Sequence, residues 1–337
     1  MPEKTLFVVL GAGATKGCAA NSSIYGEWQP PLTRELFNSR FDVILQQYPV
    51  LHGAAPEIRE AMGDDTQSLE DFLRESYRDA GDKLNQRVRH TIPLYLQDLL
   101  HRVSTGWTRR PDHYDLLIRQ SLRRFDRVIF VTLNYDILLD RALHGISPLR
   151  DMGDFISLHD DKPWALIKLH GSITWARKVV SDGYRLEAVA SDLEVGDEIH
   201  HHWTESLEEM RQWREPSYLG PGYPALSTPF GSEDDLNCPT EHIEFLCEAF
   251  RAEDALDMLI IGYSGIDKAL LRLLAEAEAK IKHVTVVDSN RDYAEAALSR
   301  VSEEINIDSS EPAVENFEAF AETSGLSGFL QRRSEAS

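Results

Sequence analysis

The chain has 337 residues, 42% of them apolar and 27% charged, an ordinary balance for a folded protein with room for a large core. Thirty-five basic residues against 56 acidic ones leave a net charge of -21, which repels phosphate backbones and argues against autonomous nucleic-acid binding. No apolar run approaches the ~18 residues of a membrane span. The three cysteines, Cys18, Cys238 and Cys247, have no CxxC spacing, so neither a disulfide framework nor a four-thiolate zinc site is expected.

In chain order, residues 5–10 form the first apolar run. It is too short for a signal-peptide core and passes straight into Gly11-Ala12-Gly13-Ala14-Thr15, so it reads as a buried strand of a cytoplasmic protein. Residues 32–48 read as helical. A further helix carries Leu69, Phe72, Leu73 and Tyr77 at helical spacing, with Asp64 or Ser68 as its cap. Residues 92–103 and 113–122 are also helical, which makes a helical insertion over about 32–125. Arg109, Arg110, Arg119, Arg123, Arg124 and Arg127 read as a solvated helix face, with a partner surface as the alternative.

Apolar runs at 128–133, 165–169, 258–261 and 284–287 supply four more strands. A second insertion over about 175–240 holds an acidic helix around 205–214 and then a turn-rich stretch, and His200 to His202 read as an exposed loop rather than a metal site. Ile266, Leu270, Leu273, Leu274 and Ala277 mark an amphipathic helix. Residues 306–337 form an acidic C-terminal segment. Runs apolar on both faces and too far apart for hairpins predict a doubly wound, mainly parallel α/β sheet of Rossmann-like form. Ligands in such sheets bind outside the carboxyl ends of the strands.

Four motifs follow strands in this order: the glycine turn at 11–15, Thr132-Leu133-Asn134-Tyr135-Asp136, Lys168-Leu169-His170-Gly171-Ser172, and Gly262-Tyr263-Ser264. Gly11 and Gly13 allow a tight turn that brings backbone N–H groups to a diphosphate. Gly262 allows a further close backbone approach, and Ser264 offers a hydroxyl to a phosphate or ribose oxygen. Asp267 is read either as the cap of the next helix or as a site residue. Lys16 is misplaced for a Walker loop. A hydride-transfer Rossmann unit needs a third glycine and a second strand within about 30 residues, and the sequence has neither.

Together the four motifs resemble the sirtuin-like family, in its divergent bacterial branch of NAD-consuming anti-phage effectors. Gly-Ala-Gly-x-Thr through Thr15, Asn-Tyr-Asp at 134–136, His-Gly at 170–171 and Gly-Tyr-Ser at 262–264 carry the resemblance, over residues 1–30, 125–175 and 255–290. It implies one catalytic domain over 1–305 that takes NAD as substrate. Gly11, Ala12, Gly13, Thr15, Gly262, Ser264 and Asp288 would hold the nucleotide, and Asn134, Asp136 and His170 would act at the ribosyl centre. Asp288 would face the adenine-side ribose, with a plain turn residue as the alternative, and it would disfavour a 2′-phosphate. Deacylating sirtuins carry a zinc module with two cysteine pairs. This chain lacks those pairs, which implies no metal and water as the ribosyl acceptor.

The expected activity is NAD glycohydrolysis, with a non-catalytic NAD or ADP-ribose sensor and a protein deacylase as alternatives. By the same resemblance the chain is expected to form a homo-oligomer. It is also expected to answer to a separately encoded activator, for which a HerA-type ATPase and a short Argonaute are the candidates.

Overall fold

The computed structural model describes residues 4–18, 29–63, 67–79, 81–106, 113–180, 193–214, 222–227, 236–252, 256–265 and 267–336. Its strands are β1 (Thr5–Leu10), β2 (Arg127–Thr132), β3 (Trp164–Lys168), β4 (Gly171–Val179), β5 (Val195–His201), β6 (Gly222–Leu226), β7 (Leu256–Ile261), β8 (Ile281–Asp288) and β9 (Ile307–Val314). Six of them form one sheet in the order β3-β2-β1-β7-β8-β9, with every neighbouring pair parallel.

Strand alternation divides the apolar side chains between the two faces. Leu6, Val8 and Leu10 of β1 meet Leu117 and Ile118 of helix His113–Leu122 and Phe329 near the C-terminus. Phe7 and Val9 point the other way, toward Leu246 and Phe250 of helix Thr240–Ala252 and Leu270 of helix Lys268–Glu276. Both faces are therefore covered, and the doubly wound parallel architecture expected from the apolar runs is present. The order reverses direction between β1 and β7, so the ligand crevice of such a sheet opens at their carboxyl ends.

The insertion between β1 and β2 builds its own core around helices Pro49–Ala61, Leu69–Ser76 and the long Lys83–Gly106. Ser68 caps the second of these by accepting from Asp71 N at 3.0 Å, and Leu69, Phe72, Leu73 and Tyr77 are buried as the spacing predicts.

Two regions differ from the sequence reading. Within the stretch read as a helix and loop, β4, β5 and β6 form a three-stranded antiparallel sheet in the order β5-β4-β6, and the helix is Leu207–Gln212. His200 and His201 lie on β5, and His201 is buried against Phe155 instead of standing in an exposed loop. Residues 307–314, inside the acidic terminal segment, form β9 at the sheet edge. Helices Phe317–Glu322 and Ser324–Ala336 then return to the core through Phe320, Leu326 and Phe329.

Asp64, Arg109, Arg110 and Ile266 lie outside the described residues, as does most of the turn-rich stretch. Arg119 pairs with Asp115, and Arg123, Arg124 and Arg127 are exposed around the start of β2, away from the strands' carboxyl ends. Among the described residues, no helix is long and apolar enough to cross a membrane.

Candidate active site at the carboxyl edge of the sheet

The end of the crevice expected to hold a nucleotide, the holding end, is built by two backbones in direct contact. Gly11 N donates to Ile261 O and Gly13 N to Gly262 O, each at 3.0 Å, where the turns after β1 and β7 meet. A Cβ on Gly11 would fall 2.4 Å from Gly262 O, and one on Gly262, whose φ is +60°, would fall 2.1 Å from Ala14 N. Side chains at either position would drive the turns apart, so these glycines are fixed by close approach. Ala12 and Gly13 are half-buried at the start of the short helix Ala12–Cys18. Ser264 is exposed just beyond, where its carbonyl accepts from Arg300 Nη1 at 2.6 Å. Asp288 ends β8, and its Oδ1 accepts from Asn290 N at 2.8 Å, an Asx turn that leaves Oδ2 for other partners.

Thr15 turns inward. Its hydroxyl is 2% exposed, donates to Asp136 Oδ2 at 3.2 Å, and receives Asn134 Nδ2 at 3.0 Å and the Tyr114 hydroxyl at 2.7 Å. A hydroxyl has one donor and two acceptor sites, so this one is fully used by the protein. In this conformation Thr15 joins the holding end to the reacting end.

The expected reacting end, with Asn134, Asp136 and His170, follows β2 and β3. Asn134 Nδ2 also donates to Gly11 O at 2.9 Å, and its backbone N donates to Thr132 Oγ1 at 3.1 Å. Both amide protons are therefore committed, while Oδ1 accepts no hydrogen bond among the described residues. Asp136 Oδ1 receives Leu138 N at 3.0 Å and so starts helix Leu138–His144. Burial pushes the Asp136 carboxyl up, against the opposing effects of Lys168 and the Leu138 and Thr15 hydrogen bonds. Lys168 Nζ donates to the Asp136 carbonyl at 2.6 Å and to Asp140 Oδ2 at 2.7 Å, which pins the loop from beneath.

His170 stands where the chain leaves the parallel sheet for the antiparallel one. Gly171 makes that turn at φ +86°, and its missing Cβ would fall 1.9 Å from Ala225 O. The His170 carbonyl receives Ser227 N at 2.8 Å. The imidazole Nε2 lies 2.7 Å from Asp267 Oδ2, with 22% and 18% of the two side chains exposed. Tyr135 packs toward the insertion core, its ring 6.3 Å from that of His170 and its hydroxyl donating to Ser227 O.

Of the two readings of Asp267, the structure shows the cap: Oδ1 receives Ala269 N and Leu270 N at the start of helix Lys268–Glu276, which leaves Oδ2 beside His170. Burial alone would raise its pKa. The hydrogen bond and charge of His170, with the two backbone N–H groups, outweigh burial and hold it below the usual carboxylate range. The strand-end motifs gave no sign of this pairing, because its partners lie on separate motifs.

Among the described residues one cluster brings potential ligand atoms within 4.8 Å of one another: His113, Glu318 and Glu322. His113 Nε2 is already 2.8 Å from Glu322 Oε1 there. Cys238 and Cys247 are free, with both thiols pushed up by burial.

Residues 128–309 match the model of the SIR2-like domain family. A search among curated proteins found no match. Solved structures similar to the chain include one described as the structural basis for the mechanism and regulation of Sir2 enzymes, at 15% identity and TM-score 0.42, covering 99% of this chain and 94% of that one. A Sir2 homologue–NAD complex is similar at 12% identity and TM-score 0.44, covering 99% and 91%. A complex of Sir2, p53 peptide and NAD+ is similar at 12% identity and TM-score 0.42, covering 98% and 95%.

Proposed function

Given that the chain belongs to the SIR2-like domain family, we propose that it is an NAD+ glycohydrolase that cleaves the nicotinamide–ribose bond with water. The observation that carries this reading is the placement of Asn134 and His170 at the ends of adjoining strands, beside the crevice where the Gly11–Gly13 turn meets Gly262. The Gly11 and Gly13 N–H groups, expected to meet a diphosphate, are instead spent on Ile261 O and Gly262 O, so these glycines shape the crevice by backbone contact. Ser264 and the open Oδ2 of Asp288 suit hydroxyl or phosphate oxygens.

In this reaction NAD+ and water give ADP-ribose, nicotinamide and a proton. The bond between ribose C1′ and the pyridinium nitrogen breaks, and its electron pair leaves on nicotinamide, which departs neutral and needs little acid help. What the protein must supply is placement of water and a proton acceptor opposite an oxocarbenium-like centre. Asn134 Oδ1, with both amide protons anchored elsewhere, accepts from the water or a ribose hydroxyl. His170 takes the proton. Asp136 holds the Asn134 loop through Thr15 and the following helix.

In a cell this activity would deplete NAD, and we place the chain among anti-phage effectors held silent until a separately encoded partner or self-association triggers them. The test is incubation of purified protein with NAD+ while nicotinamide release is followed, with and without an acetylated peptide and with and without the neighbouring gene product. Release that needs no peptide supports the proposal. Peptide-dependent release makes the chain a deacylase, and tight NAD binding without release under any condition makes it a sensor. His170→Ala and Asn134→Ala are each expected to abolish release in a folded protein.

A further inference from the structure

Two carboxylates approach His170 from different elements. Asp267 comes from the N-terminus of helix Lys268–Glu276 and Glu70 from helix Leu69–Ser76 of the insertion, while the Tyr135 ring faces it from the loop after β2. Burial pushes the Glu70 carboxyl up, toward its neutral form, and burial with Glu70 and Asp267 pushes the Tyr135 hydroxyl up as well. Lys168, two residues before His170, is engaged with Asp140. Asp267, at 2.7 Å, is the carboxylate within hydrogen-bond distance of the ring.

Its position is fixed at three points. Oδ1 receives Ala269 N at 3.0 Å and Leu270 N at 3.3 Å, and its backbone carbonyl receives the Tyr263 hydroxyl at 2.7 Å. With one oxygen held by the cap, Oδ2 is aimed at His170 Nε2 at 2.7 Å. A carboxylate accepts and does not donate, so in neutral His170 the ring proton must sit on Nε2. Nδ1 is then the lone-pair nitrogen, and among the described residues it has no hydrogen-bond partner.

We propose that Asp267 is a positioning residue that locks His170 in the Nε2–H tautomer, so that Nδ1 is the atom that takes the proton during NAD hydrolysis. This rests on the reading of His170 as the proton acceptor. It adds the atom, the tautomer and the group that sets both. It also joins the Gly262-Tyr263-Ser264 turn to the reacting end, since the residue that begins the helix after that turn orients the base. When the proton arrives, Asp267 stabilises the imidazolium without itself taking the proton.

Asp267→Asn separates the two duties, because Asn caps helices about as well as Asp but carries no charge. The native neutral ring should give ¹⁵N shifts of an Nε2–H tautomer, and the variant a mixture of tautomers in a protein that still folds. Nicotinamide release should lose about tenfold or more in kcat with little change in KM.

An Nδ1–H tautomer in the native protein overturns the proposal, and that measurement stands even if Asp267→Asn does not fold. A folded variant with native tautomer and native kcat also overturns it. So does a variant faster than native, since the carboxylate would then be a lock on the ring rather than its support. If the native protein releases no nicotinamide, the functional reading fails while the ¹⁵N shifts still decide the tautomer.

Discussion

Lys168 and Asp140 form an ion pair at 2.7 Å with both side chains fully buried, directly beneath the loop that carries Asn134 and Asp136. Burial pushes the Asp140 carboxyl up while Lys168 opposes it, and Asp140 Oδ1 has no partner among the described residues. Removing one member of such a pair leaves an uncompensated charge in a dry environment. Lys168→Met is expected to destabilise the protein by about 3–5 kcal/mol in urea unfolding. Replacing both residues with apolar ones of similar volume should recover much of that loss, but not the hold on the Asp136 carbonyl.

The glycines supply a sharp contrast. Gly262→Ala places a Cβ on a backbone with φ +60° and 2.1 Å from Ala14 N, so a loss of about 2 kcal/mol or more is expected, together with impaired NAD binding. Gly53 is exposed in helix Pro49–Ala61 with nothing within 4 Å of its absent Cβ. Gly53→Ala should instead stabilise by up to about 1 kcal/mol, through helix propensity alone. Paired melting curves of the two variants check both signs.

Asn134 has two duties that substitutions can divide. Asn134→Ala removes the donors to Gly11 O and Thr15 Oγ1, so it should cost about 1–2 kcal/mol of stability as well as NAD turnover. Asn134→Asp keeps an acceptor oxygen but turns a carboxylate toward the Gly11 carbonyl. It is expected to lose turnover at least as completely, measured as nicotinamide release per mole of folded protein.

Acid should loosen the insertion through Asp98. This buried carboxylate receives Arg214 Nη2 at 2.8 Å, the Tyr48 hydroxyl at 2.6 Å and a charge-assisted bond from Arg211. Burial would raise its pKa, but Arg214, Arg211 and Tyr48 outweigh burial and hold it low. A carboxyl depressed in the folded state contributes stability that is present above its unfolded pKa of about 3.9 and is lost as pH falls through the folded value. Melting temperature should therefore fall steeply below about pH 4. In Asp98→Asn it should start lower and depend less on pH in that range.

Strands apolar on both faces were legible in the sequence, and with them the parallel sheet and its carboxyl edge. Two of the strands that escaped notice have a different chemistry. β9 is an edge strand reading IDSSEPAV, largely exposed and interrupted by Pro312, and β5 buries only Ile199 and His201. Neither shows a continuous apolar run, because neither has two covered faces.

At the site, a strand-end motif locates a residue but not the direction of its hydroxyl or carboxylate. The motif makes Thr15 one of the residues expected to hold the nucleotide, yet its hydroxyl is enclosed by Tyr114, Asn134 and Asp136. The bond between Asp267 and His170 joins two motifs that only the folded sheet brings together.

The neighbouring of β1 and β7 has a consequence for synthesis. Leu6 pairs with Asp257, so the crevice between them closes only when the two ends of a long stretch of chain meet. A nascent chain released from the ribosome as far as β4 already carries Asn134 and His170, but it has neither the Gly262 wall nor the Asp267 carboxylate. For the proposed NAD+ glycohydrolase, translation order is then a safeguard. Products that stop before Gly262 and Asp267 would be harmless, and the hazard begins only once β7 and the helix after it have been made.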